Sequence, residues 1–428
     1  NKIKKGIQME KDTIALHSGY DKNEGYGTMS VPIYQTTAYA FRDSEHAANL
    51  FALKELGPIY SRLTNPTTEI LEKRFAELEG GAAALCVSSG QSAIFFAIAN
   101  LAEAGDNIII SDKLYGGAVT LLTHTIKRFG IEAKVFDSDD AANLEELIDD
   151  KTKAIFFEAL SNPHIAVADV EAIAKIAQKH GVVTVCDNTV STAYLFNPIK
   201  WGIDVVIHST SKFTNGQGTA VGGIIVERDG LNEFFKHSKR YSHFNSPDPS
   251  YHGLVYTDLP LPCFTLRARL ALLRDIGSSQ SPFNSWLLLQ GLETLSIRVE
   301  KHSKTSLEIA EFLEAHPNVE SVNYPGLKSS RYYDKAQKYF LDSQASGLIS
   351  FEAKDYESAK KIIDSVELFS VVVNIGDSKS LIIHPASTTH SQLSEEELKA
   401  TGINPTTIRL SIGLENAKDL IEDLKKAL

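Results

Sequence analysis

Apolar positions recur along the chain with two periods, and the alternation between them is its most regular feature. From 67 to 79, Ile70, Leu71, Arg74, Phe75 and Leu78 fall near one face at helical spacing, with Thr67 or Thr68 as the expected cap. Short runs rich in β-branched residues follow, separated by longer amphipathic ones. Residues 83–87, 107–110, 133–136, 153–158, 182–186, 205–207 and 223–226 read as strands, and 116–128 and 166–180 as helices. Apolar strands separated by helices predict a parallel sheet buried on both faces. The rhythm breaks over 241–283, where Pro247, Pro249, Pro260, Pro262 and Pro282 interrupt any period. That stretch reads as a long irregular connection with some helix near 265–274, a length usually reserved for functional or disordered segments. A long helix over 285–313 then leads into strand-like runs at 348–351, 370–373 and 408–412, a second unit of α+β type. The first sixty or so residues carry little helical pattern and read as an extended arm, of the kind that reaches a neighbouring subunit.

Composition narrows the class. With 428 residues, 43% hydrophobic and 23% charged, the chain has ample material for a core, which excludes disorder. A net charge of −11 argues against a nucleic-acid partner. Cys86, Cys186 and Cys263 are far apart and odd in number, which fits a reducing compartment better than a disulfide framework or a zinc cluster. No apolar run approaches the ~20 residues of a membrane span, and no signal-peptide pattern opens the chain, so a cytoplasmic protein is expected. Residues 1–8 precede Met9 and are set aside from the fold reading.

The chemistry concentrates at strand ends. His208-Ser-Thr-Ser-Lys212-Phe-Thr-Asn-Gly-Gln-Gly218 puts a lysine just past an apolar strand, among hydroxyls and glycines. Ligands of open α/β sheets sit outside the carboxyl ends of strands, so Lys212 suits phosphate binding or Schiff-base formation, where a solvated loop lysine is the plainer alternative. A second strand ends in Asp187-Asn188; a carboxylate there can pair with a pyridinium nitrogen, although alone the pair is more often a turn former. Ser88-Ser-Gly90-Gln91-Ser-Ala opens a helical run whose free amides suit a phosphate. Tyr115, after another strand, can stack on a planar ring, though most such tyrosines simply pack. Gly216-x-Gly218 with Gly222 faintly echoes a dinucleotide fingerprint but precedes a strand where a helix is required, so a nucleotide-binding dehydrogenase is not supported.

Taken together, Ser-Ser-Gly-Gln, Leu-Tyr-Gly, Asp-Asn-Thr and Ser-Thr-Ser-Lys resemble the pyridoxal-phosphate enzymes of cysteine and methionine metabolism, from about Thr13 to the C-terminus. The resemblance implies an α/β, aspartate aminotransferase-like fold (fold type I) with a mostly parallel central sheet, helices on both faces and a smaller C-terminal α+β domain. It implies an arm at 1–62, a cofactor domain at 63–284 and a substrate domain at 285–428. Pyridoxal 5'-phosphate is the implied cofactor: Lys212 carries it, Asp187 pairs with its ring nitrogen, and Tyr115 stacks on the ring and assists proton transfer. The Gly90 and Gln91 amides and the Ser209 and Ser211 hydroxyls hold its phosphate. Tyr60-Ser61-Arg62 matches the family's Tyr-x-Arg, which reaches the phosphate of a neighbouring subunit. That implies a homo-oligomer, a tetramer built as a dimer of dimers with shared active sites, without nucleic acid or membrane. Arg409, in Thr-Ile-Arg-Leu-Ser-Ile-Gly, resembles the arginine that holds the substrate carboxylate; Asn374 resembles a second carboxylate contact and Asn162 the residue beside the ring oxygen.

Within the family, the runs at 250–254, 273–277, 281–284 and 290–295 are similar to the subgroup acting on O-acetylhomoserine with sulfide or methanethiol. The cystathionine γ-synthases, cystathionine γ-lyases and methionine γ-lyases resemble the core equally but have a shorter connection after the cofactor lysine. The methionine lyases also carry a Cys where this chain has Gly117.

Overall fold

The computed structural model describes residues 9–23, 26–388, 398 and 403–428. The expected arm and the substrate region therefore each include residues outside those described, among them 1–8.

Seven strands form the larger sheet: β1 (Ala83–Val87), β2 (Asn107–Ser111), β3 (Glu132–Phe136), β4 (Thr152–Glu158), β5 (Val183–Asp187), β6 (Val205–His208) and β7 (Gly223–Glu227). Their order is β1-β7-β6-β5-β4-β2-β3. The pairs from β3 through β6 are parallel, as the alternating pattern predicts. β7 departs from it, running antiparallel to both β1 and β6. The reason is local: no helix follows β6, and Gly216 and Gly218 take φ values of +74° and +63° that turn the lysine-bearing loop back on itself. That reversal keeps Lys212 at the carboxyl edge of β6 instead of carrying the chain across the sheet.

The helix Pro66–Glu79 flanks this sheet. Its cap is Asn65, whose side chain accepts the Thr67 N–H at 3.0 Å, so neither expected threonine caps it; Pro66 fills the first turn, where no donor is needed. Leu71 and Phe75 are fully buried, and so is Arg74, which donates to the Ser18 carbonyl and to Glu293 Oε1 at 2.8 Å. Downstream, the expected helix over 166–180 begins later, at Val170, capped by Asp169. The expected 116–128 helix is Gly116–Thr120 continued by a wider and then a tighter turn to Phe129.

The N-terminal region is less extended than its sequence suggests. Helix Lys11–His17 buries Ile14 and Ala15, and Ser44–Phe51 is capped by Asp43. Elements of seven or eight residues hold too few turns for a period to show. The 241–283 connection is ordered and packed: Phe235 stacks on Phe244 with ring centres 4.1 Å apart, and the Tyr241 hydroxyl donates to the Lys153 carbonyl.

The expected 285–313 helix is two, Pro282–Glu293 and Leu295–Glu314, interrupted at Thr294. Gly291 explains the tight approach there, since a Cβ would stand 2.2 Å from the Thr214 carbonyl oxygen. The second sheet contains β8 (Val319–Asn323), β9 (Leu348–Ala353), β10 (Ser370–Val371), β11 (Leu381–Ile383) and β12 (Thr407–Ser411), ordered β10-β11-β12-β9-β8. β10 is two residues long instead of four, and β8 and β11 had no counterpart in the sequence reading. Among the described residues, no helix is long and apolar enough to cross a membrane, and no cluster of side chains could hold a metal ion.

Candidate active site

A cavity of about 340 Å³ opens at the carboxyl edge of the larger sheet, closed from the far side by the smaller one. Gly90, Gln91, Tyr115, Asn162, Asp187, Ser209, Ser211, Lys212, Asn374 and Arg409 all line it. Ten of the sequence-predicted residues, spread over 320 positions of chain, thus meet in one place.

Asp187 ends β5, half-buried at the cavity wall, and Oδ1 accepts the Thr189 N–H at 2.9 Å. Burial pushes its pKa up, and the Thr189 bonds oppose this. Among the described residues it has no ion-pair partner, which leaves a half-buried carboxylate free to meet a cationic group in the cavity. Lys212 Nζ donates to Asn374 Oδ1 at 2.7 Å; burial, then the neighbouring Arg409 charge, bring its pKa down to about 8. Arg409 lies on β12 between β9 and β11. Its Nη1 donates to Asn162 Oδ1 at 3.1 Å and Nη2 to the Asn374 carbonyl at 2.9 Å, while Nε is buried without a partner. A buried guanidinium with a spare donor at a cavity wall fits a carboxylate.

On the opposite wall, helix Gly90–Ala99 starts at the cavity. Ser89 caps it by accepting the Ser92 N–H, so the Gly90 and Gln91 amides have no partner within the helix. Glycine is needed at 90 because a Cβ would stand 2.6 Å from that of Ser209. Ser211 Oγ is engaged with Gly222, accepting its N–H at 3.0 Å. Tyr115 is partly exposed, and a Cβ on Gly117 would stand 2.6 Å from its ring. Amides at a helix start, a half-buried carboxylate without an ion-pair partner among the described residues, a lysine and an aromatic ring make a cradle that fits pyridoxal phosphate, with a separate arginine left for a substrate.

Tyr60 and Arg62 lie elsewhere. The guanidinium stacks over the Tyr60 ring at 5.4 Å and bonds the Arg274 carbonyl, beside Gln280 and Pro282. They do not line this chain's own cavity.

Three residues without an assigned role in the sequence reading support the site. Arg298 is buried and donates to the carbonyls of Phe213, Thr214 and Gly291, fixing the loop after Lys212. Thr189 Oγ1 accepts the Ser209 N–H at 2.8 Å. Glu158, at the end of β4, accepts the backbone N–H groups of Tyr115 and Asn162. Its one sequence signal was an acidic residue closing an otherwise apolar run.

Comparison with known proteins points to the same cofactor. Residues 12–428 match the family model described as Cys/Met metabolism PLP-dependent enzyme. An O-acetyl-L-homoserine sulfhydrylase from Leptospira meyeri is 47% identical, over 97% of this chain and 96% of that protein. A homocysteine/cysteine synthase from Saccharomyces cerevisiae is 42% identical over 97% of each chain. A crystal structure from Campylobacter jejuni, described as a candidate O-acetylhomoserine (thiol)-lyase and carrying a pyridoxyl-lysine phosphate, superposes with a TM-score of 0.97 at 56% identity, covering 98% of this chain and 99% of that one.

Proposed function

The chain belongs to the Cys/Met metabolism PLP-dependent enzymes, and from that premise we propose that it exchanges the acetoxy group of O-acetyl-L-homoserine for sulfide or methanethiol. The products are acetate with homocysteine or methionine, a step of methionine biosynthesis. The observation that carries this is the meeting of Lys212, Asp187 and Tyr115 with Arg409 and its unpartnered Nε in one cavity. The names of the relatives above favour this over the other activities of the family.

Pyridoxal phosphate, when bound, supplies an electron sink for charge developing at Cα of the amino acid. The protein does the rest. Arg409 takes the substrate carboxylate in a forked contact, with Asn162 and Asn374 fixing the fork. Lys212 Nζ, its pKa near 8, is poised to take the Cα proton and then to move the Cβ proton off and back. Asp187 would pair with the ring nitrogen and hold it protonated, and the Gly90 and Gln91 amides with Ser209 and Ser211 would hold the phosphate. Tyr115, lining the same cavity, would lie against the ring and pass a proton to the departing acetate. In balance, the Cγ–O bond breaks with its electron pair leaving on acetate, and the thiolate sulfur forms the new bond to Cγ.

The enzyme works as a cytoplasmic homotetramer, a dimer of dimers in which Tyr60 and Arg62 complete a neighbour's phosphate site. Support comes from their distance from this chain's own cavity and from the exposed Met29, Phe51 and Leu56 along the same arm. Mixing inactive R62A with inactive K212A then restores up to about a quarter of wild-type activity through hybrid pairs; no recovery in verified mixed oligomers counts against shared sites. The activity itself is tested by crossing acetyl-, succinyl- and phosphohomoserine with sulfide, methanethiol and cysteine. Homocysteine from the acetyl ester and sulfide is expected; a silent acetyl ester beside another reactive pair overturns the assignment.

A further inference from the structure

Tyr115 and Asn162 stand in different loops, after β2 and after β4, yet the function read above needs the ring-covering tyrosine and the carboxylate clamp in fixed relation. One buried side chain touches both loops. Glu158 Oε1 accepts the Tyr115 N–H at 2.6 Å, and Oε2 accepts the Asn162 N–H at 3.1 Å. Asn162 in turn receives Arg409 Nη1 on its side-chain oxygen. Glu158 is 6% exposed and sits in register with Asp187 on the neighbouring strand. We propose that Glu158 is a positioning residue that sets the ring-covering Tyr115 and the Asn162–Arg409 carboxylate clamp in register with one another.

The placement is costly and therefore informative. Burial, followed by the neighbouring Asp187 carboxylate, drives the Glu158 pKa well above the ordinary range, while the two N–H bonds act in the opposite sense. An apolar residue would spare the burial penalty but leave two amides without acceptors. The carboxylate form, which the two N–H donors favour, accepts at both of its oxygens; glutamine, of the same shape, presents an amide nitrogen that cannot accept.

E158Q tests this, because it must release one of the two loops. The inference rests on the activity proposed above only for its kinetic arm. In the cofactor-free protein, deuterium exchange at the Tyr115 and Asn162 amides is expected to be slow in wild type and at least about tenfold faster at one or both in E158Q. In the holoenzyme, the visible circular dichroism of the bound cofactor should change, and KM for O-acetylhomoserine should rise about tenfold, with a sub-additive effect when combined with N162A. A folded E158Q with a lower melting temperature but wild-type exchange, dichroism and KM overturns the proposal by reducing Glu158 to a packing role. If E158Q does not fold, the wild-type amides decide: slow exchange at both supports the proposal, and fast exchange at either overturns it. Wild-type protein silent toward O-acetylhomoserine sinks the activity assignment while leaving the exchange and dichroism arms to judge Glu158.

Discussion

The two sheets contribute to the cavity in different ways. The larger one supplies its residues from loops just past the carboxyl ends of strands: Gly90 after β1, Tyr115 after β2, Asn162 after β4, Asp187 at the end of β5, Lys212 after β6. The smaller one supplies Arg409 from the middle of β12, held by neighbours on both sides, and Asn374 from the stretch after β10. Loops at one sheet edge can collect several chemical groups around a planar cofactor. A strand interior instead fixes one guanidinium, buried and held on both sides, as the function proposed above requires for aligning a carboxylate. On the function proposed above, the difference divides labour: the larger sheet brings the cofactor and proton-transfer groups together with Asn162, and the smaller one brings the guanidinium that orients the substrate.

That division can be broken by substitution, starting with the largest effect. K212A should cut turnover by at least about 10³-fold, as expected for loss of a proton-transferring group, and should leave no cofactor absorbance after extensive dialysis. R409M removes only the clamp. Its kcat/KM should fall about 30- to 10³-fold, equivalent to about 2–4 kcal/mol for a lost buried charge partner, with the cofactor spectrum intact; a lost spectrum would show that the division is false. G90A forces a Cβ against Ser209 and should weaken cofactor binding about tenfold, within the ~1–3 kcal/mol range of overpacking, as read by equilibrium titration. The smallest effect sharpens the comparison instead. In cofactor-free protein, amine labelling of Lys212 should have its midpoint near pH 8. Because Arg409 disfavours the ammonium form, R409M should move that midpoint upward; an unmoved midpoint would mean the two sheets are not electrostatically joined.

Most of the larger sheet was readable in the sequence because its inner strands are buried on both faces and appear as continuous apolar runs, edge strand β3 with Glu132 and Lys134 being the exception. The smaller sheet was harder: β8 is half-exposed with no clean alternation, and β10 and β11 are two and three residues long. Lys212, Asp187 and Tyr115 were visible because each ends or follows an apolar strand. Glu158 ends one too, but its role depends on which amides fold against it, and these come from loops four and forty-three residues away. Arg298 sits within a long amphipathic helix and looks like any surface arginine until Gly291 brings the Lys212 loop against it. Tyr60 and Arg62 were legible by resemblance alone, since nothing in one chain brings them to its cavity.

The most direct test traps the cofactor on the protein. Holoenzyme reduced with borohydride, digested and analysed by mass spectrometry should carry a phosphopyridoxyl group on Lys212, in the peptide spanning Phe213 and Asn215. A phosphopyridoxyl group on any other lysine, or none in a protein that turns over O-acetylhomoserine, would contradict the account.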